Sequence, residues 1–144
     1  MKQLFILLFI TASLFTNAQT EFKASVSKDA VMVGEPFILE YQMNKIFDNF
    51  KLADLQNFEV VSGPSTSMQQ SINIINGEMV KTVSIIYSYI LKAKVQGTLA
   101  IPAAEIEIQG KSFYTDTIKI IVIEGNYQNP NEDHGKDING TSRL

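Results

Sequence analysis

Beyond residue 20 the sequence alternates apolar and polar side chains with a period of two, and no stretch shows the spacing of an ordinary amphipathic helix. Alternation of this kind gives one face of a β-strand to a core and the other to solvent. Phe22, Ala24 and Val26 alternate with Lys23, Ser25 and Ser27. Phe37, Leu39, Tyr41 and Met43 share one face of the next strong strand, opposite Ile38, Glu40 and Gln42. Asn44 to Asn57 is less regular, and reads as a short helix or as a loop whose aromatics tuck under the sheet. Phe58 to Val61 returns to strand and is expected to stop at Ser62-Gly63-Pro64. Thr66 to Ile75 then runs into Asn76-Gly77, two residues that tolerate positive φ, and Glu78 to Lys92 runs back as a hairpin. Val83, Ile85, Tyr87, Tyr89 and Leu91 carry the larger apolar load and are expected to face the core. Short strands follow at Leu99–Pro102, Glu105–Gln109 and Phe113–Asp116, and Ile118–Ile123 is apolar enough to predict burial on both faces.

Seven to eight short strands, with turn signals every ~8–12 residues, predict an all-β domain, an immunoglobulin-like β-sandwich over 19–124. A small closed barrel is the competing architecture. A chain of 144 residues with 45% hydrophobic and 19% charged residues suits one such domain. A net charge of −3 gives no electrostatic reason to expect nucleic acid as a partner. The absence of cysteine excludes disulfides, thiolate metal sites and lipid attachment through a cysteine.

Both ends differ from the middle. Lys2, the apolar run Leu4 to Phe15, and small residues at Thr16 and Ala18 have the three-part layout of a signal peptide over 1–18, cleaved after Ala18. No later apolar run is long enough for a membrane span, so the exported chain is expected to be periplasmic or secreted with no span of its own. From Gly125 to Leu144 the composition turns polar, with Asn, Gly and Asp dominant, and reads as a disordered tail or linker.

No constellation for catalysis emerges, and no cofactor is expected. The lone histidine, His134, falls in the tail, away from any serine of the domain. Gly63-Pro64-Ser65-Thr66-Ser67 fails as a nucleophile elbow because Ser67 stands where a glycine is required. Glu132-Asp133-His134 is better read as solvated linker than as a metal site, and Glu105 with Glu107 as an exposed strand face. Asn139-Gly140-Thr141 matches the N-glycosylation pattern, a triplet common by chance. Tyr41, Tyr87, Tyr89, Phe113 and Tyr114 could line a sugar site, though strand tyrosines are more often half-buried core. The chain is therefore expected not to be an enzyme. Binding through loops or a sheet edge is the remaining reading, with Asp48, Asn49, Phe50, Gly63, Pro64 and Ser65 as candidate interaction loops.

Several of these segments also resemble, in order and spacing, the N-terminal region of the BatD (oxygen-tolerance, or aerotolerance) family. They are Gly34-Glu35-Pro36-Phe37, Asn57 through Ser65, Ile75-Asn76-Gly77, Tyr87 through Leu91, Gly97 through Ala104 and Gly110-Lys111. The signal's Asn17-Ala18-Gln19 ending resembles Bacteroidetes export signals. The resemblance implies a periplasmic protein-interaction domain without catalytic residues. It also implies association with stress or oxygen tolerance, and membrane proteins with von Willebrand factor A domains as partners. The family's later domains and anchoring helix have no counterpart up to Leu144. An exported glycan- or small-ligand-binding domain is the alternative.

Overall fold

The computed structural model describes residues 19–131. The expected signal peptide, and the tail from residue 132 onward with His134 and the glycosylation triplet, lie outside the described residues.

Ten strands and no helix make up the described chain: β1 (Phe22–Val26), β2 (Ala30–Met32), β3 (Pro36–Met43), β4 (Asn49–Lys51), β5 (Phe58–Ile75), β6 (Glu78–Ala93), β7 (Gly97–Ile101), β8 (Glu105–Ile108), β9 (Lys111–Tyr114) and β10 (Ile118–Ile123). They form a four-stranded sheet in the order β1-β3-β6-β5 and two three-stranded sheets, β2-β10-β7 and β4-β8-β9. Neighbours are antiparallel except β2 and β10, which run parallel. The architecture is a β-sandwich. Its count exceeds seven or eight because β2 and β4, each of 3 residues, are too short to stand out as period-two runs.

The core forms where alternation aims apolar side chains inward. Phe37, Leu39, Tyr41 and Met43 of β3 are fully buried, as their spacing predicts, together with Ile85, Tyr89 and Leu91 of β6. Val31, Leu99, Ile101, Ile120 and Val122 join them from the second sheet and Ile106 from the third. At roughly 1.5–3 kcal/mol per large apolar side chain, this cluster supplies the main drive to fold.

Strand β10 corrects one expectation. Ile120 and Val122 are buried, but Ile121 and Ile123 are exposed. Its sheet is covered on one side only, so an apolar run does not become a strand buried on both faces. The stretch Asn44–Asn57 resolves as loop plus β4, with Phe47, Phe50, Leu52 and Leu55 packed against the core. A second difference concerns Ser62-Gly63-Pro64. The chain does not stop there; β5 continues for 18 residues through a bulge with register shifts between Val60, Ser62 and Ser65.

Candidate functional site

The hairpin β5–β6 is longer than the sandwich that carries it. Residues in its lower half pair with β3 as well as with each other, the β3 ladder ending at Met43 opposite Ile85. Above that level Glu78 to Ser84 of β6 has β5 as its single neighbour, and β5 is the edge of the sheet along its whole length. The result is a two-stranded arm projecting roughly 25 Å at about 3.3 Å per residue. It turns at Asn76-Gly77, where φ is 52° and 79°, the positive pair that a two-residue type I′ hairpin requires.

The arm has two distinct faces. Cross-strand partners share a face; Met68 opposes Ile85, Gln70 opposes Val83, Ile72 opposes Lys81 and Ile74 opposes Met79. Ile85 is a core residue, so this face extends the core-facing side of the sheet into the open. Ile72 is 61% exposed, Met79 73% and Ile74 75%. The other face carries Ser67, Gln69, Ser71, Asn73, Thr82 and Ser84, with Ile75, Val80 and Ile86. No charged residue occurs on β5 or its turn from Val60 through Gly77. Beyond the bulge at Pro64, an apolar stripe on an uncharged edge lacks the lysines and prolines that normally keep such edges unpaired.

The other candidates are built differently. Asn49 and Phe50 lie in β4, not in a loop. Phe50 points inward, its ring centroid 5.1 Å from that of Tyr87 and 5.4 Å from that of Tyr41, so it is a packing residue. Asp48 holds a turn: its N–H donates to the Glu107 carbonyl at 2.8 Å, and its Oδ2 accepts from the Gln109 N–H at 2.7 Å. Gly63, Pro64 and Ser65 form the β5 bulge, joined by a cis Gly63–Pro64 peptide bond, at the root of the arm. The structure therefore groups Gly63, Pro64 and Ser65 with the arm and leaves Asp48, Asn49 and Phe50 in the separate sheet β4-β8-β9.

The aromatic set divides as well. Tyr41 and Tyr89 are buried and Tyr87 is half-buried in ring contacts with Phe47 and Phe50, whereas Tyr114 is exposed. Burial raises the Tyr41 and Tyr89 phenols above the usual tyrosine range. With Tyr41, Tyr87 and Tyr89 packed inside, Phe113 and Tyr114 are the members of the set left nearer the surface, so the five rings do not form one sugar-stacking platform. Glu105 and Glu107 lie across from Lys51 and Asn49 on the β4–β8 ladder, and Ser112 Oγ donates to Glu105 Oε1 at 2.7 Å. Cross-strand pairing accounts for this pair without a reaction.

Sequence reasoning located the hairpin and its turn but not the arm as a site. Two signals were legible: the long strand-like runs Thr66–Ile75 and Glu78–Lys92 on either side of Asn76-Gly77 in a small domain, and the uncharged run after Glu59. Strands usually run about 5–6 residues, so a hairpin this long outruns any sandwich of ordinary size.

No curated protein matches the chain. A family model described as a BatD DUF11 like domain matches residues 24–122, which takes in both the sandwich and the arm.

Proposed function

The chain belongs to the BatD family, and from that premise we propose that its domain is a non-enzymatic protein-interaction module of the bacterial periplasm, acting in oxygen or stress tolerance. The observation that carries the reading is the β5–β6 arm. A two-stranded ribbon with both edges free is marginal alone in water and gains stability from a partner. Its apolar face exposes Met68, Ile72, Ile74 and Met79 around Gln70 and Lys81, an apolar load of the kind that marks an interaction surface. Binding by strand addition satisfies the free backbone groups and covers that face together.

Export, with removal of residues 1–18, would place the arm in the periplasm. There the partner class is a membrane protein of the Bat system carrying a von Willebrand factor A domain. The test compares the tagged chain with a variant whose arm is cut back by deleting residues 70–75 and 78–83. That deletion joins Gln69 and Ser84 through Asn76-Gly77 and keeps the hydrogen-bonding parity of the hairpin. Recovery from the native envelope is expected to yield the partner with the intact chain alone. Equal recovery by both chains would refute the role of the arm.

A further inference from the structure

Resting on that interaction reading, we propose that the arm of one chain pairs with the arm of a second copy, β5 antiparallel to β5 across a two-fold axis at Gln70. The pair flanking a two-residue turn exchanges both of its hydrogen bonds, and the bonding sense alternates from there. Counting back from Ile75–Glu78, the odd residues of β5 bond to β6, and Thr66, Met68, Gln70, Ile72 and Ile74 turn their N–H and C=O groups to the free edge. Those five residues also carry their side chains on the apolar face of the arm. One edge thus offers an unbroken row of donors and acceptors above an apolar stripe.

The occupant follows from charge and composition. A strand that fits this edge must be extended, uncharged over the same length and apolar at alternate positions, because a charge there would be desolvated opposite a methyl group. Residues 65–75 of a second copy are extended and uncharged, with Met68, Ile72 and Ile74 apolar on the shared face on either side of the amide of Gln70. In the register centred on Gln70, Met68 faces Ile72 of the second copy, Ile74 faces Thr66, and the two Gln70 amides meet. No like charges are brought together, and the two-fold axis uses each β5 edge once, so this contact closes on itself. The tip of each arm then reaches the other chain's Ser65, beside the bulge where β5 leaves the sandwich. The chain's own tail is a poor rival, since Glu132, Asp133, Gly135, Lys136 and Asp137 are weak strand formers.

The self-opposed position makes a direct test. Gln70 is exposed, so its substitution leaves the fold intact. Sedimentation of the wild-type chain is expected to show a dimer. Gln70→Lys and Gln70→Glu each place like charges directly across the axis and should weaken association at least ~10-fold. Mixing the two variants should restore a heterodimer, which a merely misfolded variant could not do. Because the chain has no native cysteine, Gln70→Cys should oxidise to a linked dimer at a Cα separation near 5.5 Å, faster than an exposed control, Lys111→Cys. A wild-type monomer at every concentration, or no recovery on mixing, overturns self-pairing. If such a monomer still recovers an envelope partner through the arm, the interaction reading survives that failure. If the dimer forms but nothing is recovered, self-pairing stands and the envelope partner falls.

Discussion

Gly63 shows how far a single position can constrain this fold. Its φ is 124°, and a Cβ there would lie 2.9 Å from the Ser88 carbonyl oxygen and 2.9 Å from Tyr89 Cδ1. Gly63→Ala is expected to destabilise the domain by about 2–3 kcal/mol, combining backbone strain with a clash against β6. A lowered urea midpoint with unchanged slope would confirm it. Tyr41 behaves in the opposite sense. Its hydroxyl is buried without a hydrogen-bond partner among the described residues, so Tyr41→Phe removes an unpaid desolvation cost and should be neutral or stabilising by up to ~1 kcal/mol in the same titration. Glu35 couples the Met32–Glu35 turn to pH. Its Oε2 accepts from the Met32 N–H at 2.9 Å, and its other oxygen accepts from Lys28 Nζ. These bonds, the lysine first, lower the Glu35 carboxyl below its ordinary 4.5. The folded state then holds its proton less tightly than the unfolded state, so the contribution is complete above about pH 4.5 and is lost as pH falls through the lower folded value. Glu35→Gln should lower the melting temperature at pH 7 and cost progressively less as the pH falls from about 4.5 through that window.

At the scale of the element, β5–β6 is two structures in one hairpin. Below Ile85 the ladder belongs to a four-stranded sheet over the core; above it, the ladder has solvent on both faces. Local opening follows buried contacts, so amides of Ile72 to Val80 should exchange with solvent far faster than those of Ile85 to Leu91 in the monomeric chain. Protection of the arm should rise with chain concentration if the arms pair. Cutting the arm back to Gln69 and Ser84 removes no fully buried side chain, so unfolding free energy should change by less than about 1 kcal/mol. Strand β4 is the counter-example, a short element with a full packing role. Phe50→Ala should cost about 2–3 kcal/mol, because its ring joins Phe22, Tyr41 and Tyr87.

Across the whole molecule, stability and interaction occupy different regions. One contiguous core draws on all three sheets, while the most exposed apolar side chains, Ile74 and Met79, lie at the end of the arm. The arm-shortened chain should therefore remain folded by melting and by urea titration yet recover no envelope partner. Retained recovery by the folded, shortened chain would place the interface on the sandwich instead. Thr115 illustrates the self-sufficiency of that sandwich: though buried, its Oγ1 accepts from the Ala104 N–H at 2.9 Å and its own N–H donates to the Ala104 carbonyl at 3.1 Å.

Local chemistry determined what the sequence could announce by itself. Alternation set the faces of β3 and β6, and Asn76-Gly77 set a turn, because side-chain direction and positive φ are properties of a few neighbouring residues. The family's segments, spread from Gly34 to Lys111, were legible for the same reason: each is a short run of residues in fixed order. Burial is not local. Ile121 and Ile72 look as ready for a core as Ile120, and Phe50 as ready for a surface loop as its neighbours Asp48 and Asn49. Only the tertiary structure decided that a sheet covers Ile120 and not Ile121, that Phe50 turns inward, and that β5 runs past its bulge into open solvent. The physical reason is that the hydrophobic effect rewards an apolar side chain only where another layer stands opposite.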